Sequence, residues 1–546
     1  MSSKKKLGLG KTIHRIHQTR RSQDSNFLTT FIDNHSEHFI NCGKLTSKSS
    51  NVNEFYRFFA RAYQTYSKIP KTFIEEKDLP QGQDLNIYLD NISSGDLFRT
   101  KQSYQIKIVV IFTMLVTKYS GLLNDIFEFG SFTSEERETI LTFGKKLVRE
   151  DIKEEEVIEW FNLNGKKLAR GIYIFLLDGK FPREVSDLIG ITPDIYGEFT
   201  SLDIQKDIEL NLQYGKLQEY RMEDITLNLK IYSNHNFSPK SSLLDRVFFL
   251  SYLEKSPEIN LTLWLSDRKK KLKYARSHRY IGPKEINSGC TSHLQGSKQV
   301  SVWRKEELDK VILHELIHSL DLEDRMNTLD LENFVYQHFD IRRDLNKLTI
   351  FECYVEIMAD ILNVFFLVQD TFNFSIKKTK RLKSKRKKSL RNWQVRSVIK
   401  KEKMEMFRDI IWMEKCWSLF QAAKILNYFR FSSWEEFYQT RGFREEEKTD
   451  KYQQKSNVFS YIILRSLTFF RLNKFLGLCR TYHGDNLLSY QIPNSEMINF
   501  WKDTLDNSKY SRQVNKLLKV VKNIEREKNT KPIVFQSMRM TCVEGK

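Results

Sequence analysis

Near residue 224 the spacing of apolar residues changes from a helical period to a period of two. Ile225, Leu227, Leu229 and Ile231 alternate with polar residues, and Ile259, Leu261, Leu263 and Leu265 repeat the pattern. Side chains two apart point to one face of a strand, so each run reads as a strand with one buried face. Between them 243–253 reads as a helix. After the second run, Ile286-Asn-Ser-Gly-Cys-Thr-Ser292 reads as a turn leading into extended chain, and Val300 and Val302 form a short strand. The order strand, helix, strand, turn, strand, helix implies a small mixed sheet backed by helices, and the fold class is α+β.

On either side the spacing is mostly helical. Stretches such as 105–123 and 153–177 carry apolar residues three and four apart, and helical sequence resumes from about 404 to 525. At about 150 residues per unit, a chain of 546 residues divides into three or four parts. The expected division is a basic flexible arm at 1–25, a helical N-terminal domain at 26–220, an α+β core at 221–370, a basic tract at 371–401 and a helical C-terminal region at 402–546. With 40% hydrophobic residues and only 9 Pro and 21 Gly, the bulk of the chain is expected to fold rather than stay disordered.

The net charge of +20 would suggest a polyanion-binding protein if it were spread over the surface. It is not spread. Residues 1–23 carry seven basic side chains and no acid, and 371–401 carry thirteen and no acid, which together account for the whole excess. The remaining body is formally neutral, so any polyanion contact is local. Six cysteines are scattered without a CxxC pair, which disfavours a cysteine metal site or a disulfide framework. The N-terminus lacks the apolar stretch of a secretory signal, and apolar runs such as 109–116 are far too short to span a bilayer. The expectation is an intracellular protein, cytoplasmic, nuclear or virion-associated, with no membrane segment.

The residues most suggestive of chemistry lie just after the last strand. A helix is expected over 306–320, acidic at its start and apolar at Leu308, Val311, Ile312, Leu316 and Ile317, and it carries His314-Glu315-Leu316-Ile317-His318. Positions four apart stand one turn above each other on a helix, so both imidazoles can reach one ion. Glu315 lies about 100° further round, where a general base must sit to take a proton from an attacking water. Two histidines satisfied by core hydrogen bonds are the plainer alternative.

A catalytic zinc takes three protein ligands and leaves a fourth position open. The third is expected on a later helix, in Phe351-Glu-Cys-Tyr-Val-Glu356-Ile-Met-Ala-Asp360. Glu356 is the expected ligand, and Asp360, one turn on, is the carboxylate expected behind an imidazole. Glu352, one turn earlier, is the alternative ligand. A solvated acidic face is disfavoured, because Ile357, Met358, Ile361 and Leu362 make this helix largely apolar.

These two segments resemble a known family. Val311-Ile-Leu-His-Glu-Leu-Ile-His-Ser-Leu-Asp321 resembles the HExxHxxD motif of neprilysin-like peptidases, and Glu356-Ile-Met-Ala-Asp360 resembles their ExxAD. The broader class is the gluzincins, which include thermolysin, and the segment 286–318 also looks like metallopeptidases encoded by large DNA viruses. The resemblance covers about 286–363. It implies a zincin-like core whose edge strand binds substrate backbone, one Zn2+ per chain held by His314, His318 and Glu356, Glu315 as base, and Asp360 and Asp321 as supporting acids. It also implies a protein or peptide substrate that passes Asn287 and Gly289. The oxyanion donor is open, with Tyr336, His338, Tyr482 and His483 as candidates by residue type.

Between Lys377 and Arg391 stand ten basic side chains, followed by Trp393. Such a run suits nucleic acid or another polyanion, yet a solvated loop is an equal reading. Against the peptidase expectation stand two alternatives, a catalytically inactive zincin-fold scaffold and a polyanion-binding protein that uses the basic tracts.

Overall fold

The computed structural model describes residues 23–39, 42–79, 120–129, 132–149 and 214–544 apart from 273–279, 295–296, 324–327, 384–391, 485 and 527–531, together with scattered positions between. Most of the helices expected at 105–123 and 153–177, the basic arm and the middle of the basic tract lie outside the described residues.

Helices α1 (Gln23–Asn34) and α2 (Ser50–Tyr66) lead into strand β1 (Thr72–Leu79), and α3 (Ser120–Phe129) and α4 (Ser134–Val148) follow. Then come β2 (Tyr214–Met222), β3 (Ile225–Ser233), α5 (Ser241–Glu254), β4 (Glu258–Ser266), β5 (Gly289–Leu294) and β6 (Ser297–Arg304). The six strands form one sheet in the order β1-β2-β3-β4-β6-β5. β3, β4 and β6 run parallel, while β1, β2 and β5 pair antiparallel to their neighbours. The architecture is therefore mixed, with α5 as the crossover that a parallel β3–β4 pair requires.

Burial explains which strands the alternation reveals. β3 alternates buried and half-buried residues along most of its length, whereas central β4 is buried almost throughout, as a strand with parallel neighbours on both sides tends to be. β1 and β2 extend the sheet into the region expected to be a helical N-terminal domain. β1 is exposed nearly throughout and reads Thr-Phe-Ile-Glu-Glu-Lys-Asp-Leu, so no buried face imposes a period on it.

Helix α6 (Leu308–Ser319) lies between the sheet, at β5 and β6, and helix α8 (Glu352–Lys383), with α7 (Leu329–His338) between them in sequence. Residues 352–369 of α8 are all buried, the acidic stripe of Glu352, Glu356 and Asp360 included, and its other faces are largely apolar. The rest of the layer is α9 (Asn392–Tyr428), a π-helical turn (Phe459–Leu464), α10 (Arg465–Phe470), α11 (Leu472–Tyr482), α12 (Asn494–Leu505), α13 (Ser508–Arg526) and α14 (Pro532–Gln536). One apolar core runs from Leu28 of α1 to Val543. Among the described residues all six cysteines are free, and no helix is long and apolar enough to cross a membrane.

Residues 537–544 follow α14 as irregular chain, yet all eight are buried. A buried loop must satisfy its backbone elsewhere. Here carboxylates do so: Thr541 N donates to Glu307 Oε1 at 2.5 Å, and the amides of Cys542 and Val543 donate to Glu414 at 3.1 and 3.2 Å. Arg465 donates to the Met540 carbonyl at 2.7 Å.

Candidate metal and active site

Helix α6 begins after Glu307, which adopts a left-handed conformation (φ 60°) and is held by an ion pair with Lys270. From Lys310 to His318 every residue of α6 is buried. Its polar side chains therefore need partners inside the protein.

His314 and His318 turn their Nε2 atoms toward each other at 3.2 Å. Glu352 Oε2, from the first turn of α8, lies 3.3 Å from each of them. Among the described residues, this is the group of three potential metal-binding side chains whose ligand atoms lie within 4.8 Å of one another. The carboxylate expected there was Glu356, and the structure places it one turn further along. Glu356 Oε2 is paired with the buried Lys310, and its Oε1 lies 3.3 Å from His314 Nδ1, behind the imidazole rather than in front of it. Asp360, expected behind an imidazole, is instead bound to Arg465 Nε at 2.7 Å. The whole acidic stripe of α8 is thus displaced by one turn from the expected register.

The second expected supporting acid is displaced as well. Asp321 follows the end of α6 in a left-handed conformation (φ 52°), points outward and pairs with Lys298. Two residues later the chain turns back, and Glu323 Oε1 lies 2.6 Å from His318 Nδ1.

The charges are mutually consistent. Burial alone would push Glu352 up, but the imidazoles of His318 and His314 hold it well below the usual carboxylate range. Burial likewise opposes ionisation of Glu356, and Lys310 and His314 overcome it. His318 is displaced the other way: burial disfavours its cation, but Glu352 and Glu323 raise it well above the ordinary imidazole value. Glu315 is raised, chiefly by burial, with the two histidines acting against that.

Glu315 faces the edge strand. Thr291 Oγ1 donates to its Oε2 at 3.0 Å and to its carbonyl at 2.8 Å. Gly289 passes so close that a Cβ there would stand 2.8 Å from Glu315 Oε1. Asn287 lines the same cleft; its Oδ1 accepts from Ser456 Oγ at 2.6 Å, and its carbonyl accepts from the buried Arg304.

These groups line a cavity of about 550 Å³. One wall is β5, with Gly289, Cys290 and Thr291; the floor is His314, Glu315, His318 and Glu352. The opposite wall is Lys347 with the segment 454–457 and Tyr461. Hydrogen bonds pin that wall to its surroundings: Gln454 N to Asn346 Oδ1 at 2.8 Å, Gln454 Nε2 to the Lys347 carbonyl at 2.7 Å, and Lys455 N to the Ile281 carbonyl at 2.9 Å. Asn457 Nδ2 reaches down to Glu352 Oε1 at 3.2 Å.

None of the four candidates for oxyanion donor lines this cavity. Tyr336 donates to the Asn346 carbonyl, His338 faces the Gln439 carbonyl and His483 the Leu487 carbonyl. The tyrosine that does line it is Tyr461, on the π-helical turn, with its ring centroid 5.9 Å from that of His314. Burial holds its phenol well above the ordinary value, with Glu352 adding to the effect. Sequence pattern offered no signal for it, because it lies within the long stretch, about 404 to 525, that reads as helical throughout.

In comparison with known proteins, no family model, curated protein or solved structure matches the chain.

Proposed function

We propose that the chain is a zinc-dependent peptidase in which His314, His318 and Glu352 hold the ion and Glu315 is the general base. The observation that carries this reading is the triangle of two Nε2 atoms and one carboxylate oxygen, with sides of 3.2, 3.3 and 3.3 Å. Tetrahedral zinc with bonds of about 2.0–2.1 Å puts neighbouring donors about 3.3 Å apart. Hydrogen bonds alone account for the triangle less well, since each Nε2 carries at most one proton and can direct it at one of two neighbours. His318 Nδ1 is hydrogen-bonded to Glu323, the support that ligating histidines commonly have, and Glu356 lies 3.3 Å from His314 Nδ1, at ion-pair distance but without a hydrogen bond. Glu352 and Glu356 then take, one turn earlier, the places that the neprilysin-like resemblance gives to Glu356 and Asp360.

When bound, the ion supplies a Lewis acid that polarises a carbonyl and lowers the pKa of water to about 7. Glu315, with Thr291 fixing one of its oxygens, takes the proton of the attacking water and returns it to the leaving amine. Burial raises its carboxyl, which makes it the stronger base for the first of these transfers. Tyr461 stays a neutral phenol, able to donate to the oxyanion as charge develops. β5 is an edge of the sheet, so an extended peptide can pair with it while its scissile bond lies over the floor.

Metal analysis and peptide cleavage on four proteins test this reading. The unaltered chain is expected to hold one zinc and cleave. Glu315→Gln should keep zinc and lose cleavage, Glu352→Ala should lose both, and Glu356→Gln should bind zinc about 10–100-fold more weakly. Normal cleavage by Glu315→Gln, or a full complement of zinc in Glu352→Ala, defeats it.

A further inference from the structure

The two walls of the cleft differ in charge. On the β5 side the lining is Gly289, Cys290 and Thr291, without a charged group. On the opposite side Lys347 and Lys455 both line the cavity, and both are exposed. Neither has a carboxylate within ion-pair distance among the described residues. Glu315 and Glu352 are the acids of the lining, and both lie at the floor beside the imidazoles.

The two lysines are not loosely placed. Lys347 is fixed through its carbonyl by Gln454, Lys455 through its amide by Ile281, and the Lys455 ammonium sits 4.2 Å from the centre of the Tyr280 ring. Their backbone positions are set before any ligand arrives. A cation held at the rim of a cleft and lacking an internal partner attracts anionic ligands and disfavours cationic ones.

We propose that this cleft selects peptides with acidic side chains flanking the bond over its floor, with Lys347 and Lys455 as the specificity-determining residues. The inference rests on the peptidase reading for what happens to the bound peptide, but recognition itself requires only the cleft. The recognised chemistry is a carboxylate on an extended chain, paired with β5 on one side and facing two ammonium groups on the other.

The test uses three series of labelled peptides, identical except for Glu, Gln or Lys at the positions flanking a common central pair. Binding is read by fluorescence anisotropy on the full chain carrying Glu315→Gln and supplied with Zn2+, and cleavage is read on the unaltered chain. For two partly exposed pairs, the Glu series should bind roughly tenfold tighter than the Lys series, and the margin should narrow as salt is raised. Lys347→Glu combined with Lys455→Glu should reverse the order. Equal binding of the three series, binding of none, or an order unchanged by the double substitution overturns the proposal. A preference that follows the lysines without any cleavage would instead sink the peptidase reading alone, while cleavage without the preference would sink this inference alone.

Discussion

At Gly289 the edge strand comes so near Glu315 that there is no room for a methyl group: an added Cβ would stand 2.9 Å from Glu315 Cγ and 3.0 Å from the Ser301 carbonyl. Alanine there must displace either Glu315, the proposed base, or the strand. A shift of about 1 Å in a catalytic group can cost on the order of 100-fold in rate. Gly289→Ala should therefore lower cleavage by at least about tenfold while zinc per chain stays unchanged; undiminished cleavage would show that the close approach is of no consequence. The position was visible in the sequence as part of the Asn-Ser-Gly turn, but its reason was not, because the neighbour that crowds it is 26 positions away. The acids show the same limit. Helical period places His314, Glu315 and His318 on one helix, and Glu352, Glu356 and Asp360 on one stripe of another. Which acid meets the imidazoles depends on how far α8 is offset along α6, and that offset is a property of packing. Glu323 escaped notice because it stands beyond the helix end, where no period applies.

Among the elements, those whose apolar residues keep a regular period were legible. β3, β4, α5 and α6 fall close to where alternation and helical spacing put them. β1, exposed nearly throughout, and β2, mostly half-buried, keep no such period, and α8 runs on to Lys383, inside the tract for which a solvated loop was one of two equal readings. The π-helical turn at Phe459–Leu464 was also unreadable, because one residue's difference in a hydrogen-bonded turn leaves no compositional trace. That turn matters because it carries Tyr461 to the cleft. Tyr461→Phe keeps the ring against His314 and removes only the donor. The expected result is a fall of about 100-fold in kcat with little change in KM or zinc content, the scale seen when one oxyanion donor is removed. An unchanged kcat would take Tyr461 out of the mechanism.

Over the whole molecule, the buried charges form a connected set. Asp360 and Glu414 share Arg465, at 2.5 and 3.8 Å, in surroundings closed to water. Burial lifts Asp360 to about 6 against the pull of Arg465 and Lys310, and lifts Glu414 to about 7, where Asp360 adds to the effect and Arg465 opposes it. Both lie above their ordinary values, so between about pH 4 and 7 the folded chain holds more protons than the unfolded one. Stability from this pair is fully present below that window and is lost as pH rises through it. Glu414→Gln cannot ionise, and its unfolding midpoint in urea should fall less between pH 5 and 8 than that of the unaltered chain. Parallel profiles would remove the pair from the pH response. The net charge gave no hint of this interior, because its acids and bases cancel in the count. The same set explains a dependence on chain order. Arg465, Glu307 and Glu414 each use backbone groups of 540–543, so a growing polypeptide that has emerged only as far as α13 would leave three ionisable groups in the interior without these partners. The proposed zinc site sits within that interior, and its scaffold is completed by residues that follow α6 by more than two hundred positions.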